Sequence, residues 1–183
     1  MSSTATPPEL AAGTADASGD ISGPFPELTG ARRHWRALEG LYASAPINRE
    51  FPSHLEIIEE GFARIRFEVG PEHCHAAGAA HGTLYFKMLD DAAFYAANTL
   101  VTDRFLLTTA FNLLFTRPLQ QGEAVAEGRW VSGRRRVILA EARIIDSAGN
   151  EVGRGTGTFQ RSRIALSALP GYVSSASPGA SLP

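Results

Sequence analysis

Residues 73–99 read HCHAAGAAHGTLYFKMLDDAAFYAANT, a loop of His, Cys, Gly and Ala that turns into a long apolar run. Two adjacent carboxylates, Asp90 and Asp91, sit in the middle of that run. From Thr83 to Thr99 there is no Gly or Pro, and Ala, Leu, Met, Phe and Tyr dominate. The composition predicts a helix over residues 83–99, with Gly82 at its start and Thr83 capping the first turn. Its side chains are apolar around most of the circumference, so the helix must be wrapped rather than laid on a surface. At 100° per residue, Thr83, Lys87, Asp90, Asp91 and Asn98 share one narrow sector. That sector is either a solvated stripe, with Lys87 pairing the acids, or a working face.

Strand-like segments flank the helix. Before it, HLEIIEE and FARIRFEV alternate around Gly61 and read as a hairpin. After it come RFLLTTAFNLLFTR, EAVAEGRWV, RRVILAEARIID and EVGRGTGTFQR, separated by the short connections LQQG, SGR and SAGN. Such connections predict an antiparallel meander of these four strands. The economical way to bury the helix is to curl one antiparallel sheet around it, an α+β architecture. The segment Phe105 to Phe115 is apolar on both faces, which predicts a second burial surface and a dimer.

The ends differ from this middle. Residues 1–30 are rich in Ala, Ser, Thr, Gly and Pro, and hold four acids without a single Lys or Arg. They and residues 165–183 predict disordered tails around one domain spanning 31–164. That domain opens with a short amphipathic helix, ARRHWRALEGLYAS, whose Trp35, Leu38, Leu41 and Tyr42 share a face.

A net charge of −2 gives no reason to expect nucleic-acid binding. No apolar run is long enough to span a membrane, and no basic segment precedes an apolar run at the N-terminus. One cysteine, Cys74, excludes an internal disulfide and suits a reducing, cytoplasmic setting. His73, Cys74, His75 and His81 invite a zinc reading, but no further ligand completes a tetrahedral spacing, so neither metal nor cofactor is expected.

AHGTLYFKMLDDAAFYAAN, followed by TTAFNLLFTRPLQQGE and GRRRVILAEARIIDSAGNEVGRGTGTFQ, resembles the hotdog-fold thioesterases of the phenylacetate-degradation type, over roughly residues 53–161. The family pattern has an Asn-containing loop, a His-Gly-Gly, an acid nine residues after the His, and a Thr or Ser on the next strand. His81, Gly82, Asp90 and Thr108 fall in those places, and Pro118 falls where the family has an Arg-Pro or Ser-Pro after that strand. Thr83 departs from the pattern where the second Gly is usual, and His75 where the family commonly has Asn. The resemblance implies hydrolysis of an acyl-CoA thioester by a homodimer or dimer of dimers. It implies that the Gly82 N–H faces the thioester carbonyl, that Asp90 activates water or attacks directly, and that Thr108 holds the attacking water. Asp91, further round the helix, is expected to pair with Lys87.

For the remaining residues the reading stays open. His81 fixes the loop, and His75 either shapes the pocket or stands in for Asn as a donor. Arg134, Arg135 and Arg136 are either a solvated hairpin or a grip on the CoA phosphates. Phe94, with Phe86 and Tyr95, suits an aryl or medium-chain acyl group. The alternative from another class is a non-catalytic hotdog protein that binds acyl-CoA or only dimerises, a protein with no need of a carboxylate at Asp90.

Overall fold

A computed structural model describes residues 29–173. Residues 1–28 and 174–183, the bulk of both expected tails, lie outside the described residues. The C-terminal tail expected from residue 165 begins too early. Residues 166–168 form a 3-10 turn, Leu166 is buried, and the Tyr172 hydroxyl lies 2.7 Å from His34 Nδ1. Leu166, Leu169 and Tyr172 pack on the core, which a scan dominated by Ser, Ala, Gly and Pro overlooks.

The chain begins with α1 (Gly30–Ser44) and a 3-10 turn, Pro46–Arg49. The strands β1 (Ser53–Glu59) and β2 (Phe62–Val69) form the expected hairpin, followed by the central helix α2 (Gly82–Asn98). Then come β3 (Arg104–Phe115), β4 (Gly122–Ser132), β5 (Val137–Asp146) and β6 (Glu151–Ala165). One antiparallel sheet runs in the order β1-β2-β4-β5-β6-β3, and α2 packs across it. Met88, Leu89, Ala92, Ala93, Ala96 and Ala97 are all completely buried.

The meander holds only for β4, β5 and β6. β3 pairs with β6 and forms the far edge of the sheet, so LQQG belongs to a crossover rather than a hairpin. The crossover is held by Leu119, which is buried, accepts the Ala80 N–H at 2.9 Å and donates its own N–H to Tyr85 Oη at 2.6 Å. A turn-like composition marks where a chain leaves a strand, not which strand it joins next.

Close packing of α2 on the sheet depends on missing side chains. A Cβ on Gly128 of β4 would overlap the Ala92 carbonyl of the helix. On β6, Gly153, Gly155 and Gly157 recur at alternate positions on the helix-facing side, and Cβ atoms there would crowd Tyr85 and Phe111. Those aromatics therefore pack directly on the strand backbone.

The helix starts one residue earlier than expected, and its N-cap is His81 rather than Thr83. His81 Nδ1 accepts the Thr83 N–H at 3.2 Å, which makes Gly82 the first helical residue.

Candidate active site

Three stripes of α2 divide the labour. The sheet-facing stripe is apolar. A second stripe, Phe86, Asp90 and Phe94, repeats every four residues and faces β3. Phe86 meets Phe111 edge-on at 5.7 Å between ring centroids, and Phe94 meets Phe105 at 5.0 Å. Between these aromatic pairs, Thr108 Oγ1 donates to Asp90 Oδ1 at 3.0 Å, with Oδ2 at 3.3 Å. β3 carries Thr108 on the same face as Phe111, opposite Phe159 of β6. Asp90 and Thr108 are thus brought together, although they stand 18 positions apart in the chain.

This setting moves the Asp90 carboxyl up from 3.8 to about 6. Burial among aromatic rings is the largest cause, because it penalises the ionised form. The Thr108 hydroxyl opposes the rise, the Asp91 charge adds to it, and Lys87 opposes it. A carboxylate held near 6 is a far better proton acceptor at neutral pH than an ordinary Asp.

The third stripe holds Lys87 and Asp91, which form an i, i+4 ion pair as expected. Burial raises the Asp91 carboxyl, and Lys87 pulls it back. Lys87 Nζ also donates to Asn48 Oδ1 at 2.7 Å and Tyr42 Oη at 3.3 Å, so the stripe faces α1 and the 3-10 turn rather than solvent. Sequence reasoning missed those partners. The one signal available is that Lys87 is the only lysine among 17 basic residues, placed inside an apolar helix.

Asp90, Asp91, Phe94 and Thr108 line a cavity of about 270 Å³ with Tyr42, Ala45, Ile47, Asn48, Tyr95 and residues 105–107. Phe94 therefore lines the same cavity as the acid. Gly82 and His75 are not. They line a separate hollow of about 370 Å³ with Ala79, Ala80, Tyr85, Phe115 and residues 116–118. Among the described residues the Gly82 N–H has no hydrogen-bond partner. It is one of the free donors at the positive end of the helix dipole. His81 caps the helix, and His75 Nδ1 accepts the Ala77 N–H at 3.1 Å within an exposed turn.

The other candidates settle elsewhere. His73 is buried, accepts the Gly70 N–H at Nδ1 and sits 3.2 Å from the Glu50 carbonyl at Nε2. Cys74 Sγ lies 3.5 Å from the Gly70 carbonyl. Among the described residues, no three His, Cys, Asp or Glu side chains group to hold a metal ion. Arg134 pairs with Glu60 at 2.8 Å and stacks over Trp130, whereas Arg135 and Arg136 make no ion pair among the described residues. All three arginines lie exposed on the β4–β5 hairpin. Among the described residues no helix is long and apolar enough to cross a membrane.

Known structures share this arrangement of sheet and helix. The Escherichia coli PaaI protein, from the phenylacetic acid degradation operon, aligns with a TM-score of 0.68 at 18% identity, over 74% of this chain and 97% of that one. The fold is the hotdog fold. Within this hotdog chain, residues 77–152 match the model of the thioesterase superfamily, a span that includes His81, Gly82, Asp90, Thr108 and Arg134 to Arg136. It leaves out α1 and the Pro46–Arg49 turn. A candidate esterase of Saccharolobus solfataricus is 26% identical over 104 residues, 57% of this chain and 69% of that protein. A Streptococcus mutans protein with acetyl-CoA bound aligns with a TM-score of 0.56 at 19% identity, over 60% of this chain and 88% of the other.

Proposed function

We propose that the protein hydrolyses an acyl-CoA thioester carrying an aryl or medium-chain acyl group, as a homodimer or dimer of dimers whose sites each use two chains. The observation that carries this reading is a desolvated carboxylate, Asp90, poised near 6 beside the Thr108 hydroxyl. The thioesterase superfamily match, the esterase-described relative and the acetyl-CoA complex of a hotdog neighbour support the same direction.

Asp90 accepts a proton from a water held by Thr108, and the resulting hydroxide attacks the thioester carbonyl carbon. The Gly82 N–H stabilises the oxyanion, an interaction worth about 2.7–4 kcal/mol in the transition state. The C–S bond then breaks, the proton on Asp90 passes to the departing thiolate, and free acid and CoA leave. Arg135 and Arg136, without an ion pair among the described residues, suit the CoA phosphates.

Gly82 and Asp90 lie eight residues apart on one helix, about 12 Å along its axis. They line different cavities, at opposite ends of β3: Phe115 packs on Gly82, and Thr108 on Asp90. β3 is a sheet edge whose Leu107, Leu114 and Phe115 are 49%, 54% and 60% exposed. A twofold that pairs two such edges antiparallel sets the Phe115 end of one chain beside the Thr108 end of its partner. Each site then receives Gly82 from one chain and Asp90 from the other, with exposed apolar edges covered in the same step.

The test is release of CoA, read with a thiol-reactive dye over a panel of aryl and straight-chain acyl-CoAs. Turnover of at least one member is expected, and none over the whole panel would overturn the reading. Gly82→Pro removes the N–H at the first helical position, where Pro is favoured and the preceding His81 is extended; its Cβ would meet the exposed Phe115 ring at 3.1 Å, so the ring must shift and circular dichroism checks the fold. Mixing the Gly82→Pro and Asp90→Asn proteins should restore up to about a quarter of wild-type activity, from one intact site per mixed dimer. No recovery despite demonstrated subunit exchange and a folded Gly82→Pro partner would place the site within one chain.

A further inference from the structure

The cavity at Asp90 has three walls. α2 contributes Asp90 and Phe94, and β3 contributes Phe105 to Thr108. The third wall is the end of α1 and the turn that follows it, with Ile47 at its tip. This turn lies outside the segment that matches the thioesterase superfamily, so the site's third wall is particular to this part of the chain.

The turn is held against the helix by polar groups that nothing else in the mechanism uses. Lys87 has a side chain only 10% exposed, and its Nζ donates to Asn48 Oδ1 at 2.7 Å. Asn48 Nδ2 in turn donates to the Tyr42 carbonyl at 2.6 Å. The Asn48 amide is therefore used at both ends, bridging α2 to the end of α1. Pro46 starts the turn and fixes its first φ. Ile47, next to Asn48, has little freedom to move away from the cavity, although 49% of its surface faces solvent. A large aliphatic side chain left half-exposed on a clamped turn, with its other half lining the cavity, is placed to be touched by whatever fills the cavity.

We propose that Ile47 is a specificity-determining residue, which limits the size of the acyl group, and that Lys87 is the positioning residue that holds it there through Asn48. The proposal rests on the acyl-CoA reading above and adds the chain-length limit to it. Within one chain the cavity is about 270 Å³, slightly below the range of drug-sized pockets, which suits an aryl or short-to-medium acyl group better than a long one.

The experiment measures kcat/KM over straight-chain acyl-CoAs from butyryl to dodecanoyl, with phenylacetyl-CoA as the aryl member, for the wild type and three variants. Ile47→Ala opens the wall. Its optimum should move to chains longer by about two carbons, each newly accommodated methylene raising kcat/KM about fourfold. Ile47→Trp should move the optimum to shorter chains. Ile47 is half-exposed, so both variants should fold, which circular dichroism checks. Asn48→Ala cuts Lys87 from the turn while leaving the Lys87–Asp91 pair intact. It should flatten the chain-length profile without shifting the pH dependence, a result that a general loss of stability would not give.

A second readout does not need turnover. Free straight-chain carboxylates are tested for the longest chain that still raises the melting temperature. If the wild type hydrolyses acyl-CoA but both Ile47 variants keep its profile, the proposal about Ile47 is overturned and the hydrolase reading stands. If Asn48→Ala keeps the wild-type profile, the positioning role of Lys87 is overturned. If no acyl-CoA is hydrolysed, the hydrolase reading falls. In that case, a carboxylate length limit that moves with residue 47 still supports the wall, and one that does not move overturns it.

Discussion

Asp90 is the residue at which activity and stability should pull against each other. Its carboxyl titrates near 6 in the folded chain against 3.8 when free, chiefly because burial disfavours the ionised form. A rise of that size corresponds to about 3 kcal/mol against the ionised folded state. The group is only partly buried, so solvent screening reduces this to about 1–2 kcal/mol. Because the folded value is raised, the stability Asp90 contributes is fully present below about pH 3.8 and is lost as pH rises through 6. Asp90→Asn keeps the shape and a partner for the Thr108 hydroxyl while removing the charge. At pH 8 the variant should melt about 3–6 °C above the wild type, at equal protein concentration. At pH 4 the two should melt together. The same substitution should lower kcat about 10²–10⁴-fold, as loss of a general base does. Thermal melts from pH 4 to 8, alongside CoA-release kinetics, test both halves. An Asp90→Asn protein no more stable than wild type at pH 8, or stabilised equally at both pH values, would refute the desolvation argument.

Asp91→Asn removes a charge that raises the Asp90 carboxyl, so the acid limb of kcat/KM should move to lower pH, with less than a tenfold loss at its plateau; an upward shift contradicts the assignment. Gly128→Ala drives a methyl into the Ala92 carbonyl and should cost about 1–3 kcal/mol or more, read as a fall in melting temperature; an unchanged melt would contradict the close approach of α2 to β4. Leu114→Glu places a charge on the exposed edge of β3, and sedimentation should show a monomer that has lost hydrolysis. A fully active monomer would count against the two-chain site.

Much of the fold was legible because its signals are local. α2 announces itself by composition, and its observed limits differ from the expected ones by one residue. The hairpins around Gly61, SGR and SAGN follow from short turns between alternating strands. The partner of β3 was not legible, because LQQG would look the same in a hairpin or a crossover. Leu119, buried under Tyr85, is what tells them apart, and its burial depends on contacts far away in the chain. The C-terminal boundary was misplaced for the same reason: Leu166 and Tyr172 are isolated among small residues and acquire meaning only against α1 and the core.

The candidate site divides in the same way. Spacing grouped Asp90 with Lys87 and Asp91, whereas the structure turns it toward β3 between Phe86 and Phe94; the family resemblance supplied Thr108 opposite the acid. Asn48 and Lys87 could not be linked, since nothing in either neighbourhood names the other across 39 positions. What the sequence did contain is a contradiction that a single chain cannot resolve. It puts the proposed oxyanion donor and the proposed general base on one rigid helix, eight residues apart, and a helix does not bend to bring them to one carbonyl. In the structure each gains its own cavity, at opposite ends of an edge strand with exposed apolar side chains. Antiparallel pairing of two such edges exchanges the ends, so the spacing that separates Gly82 from Asp90 within one chain is what would let two chains share them.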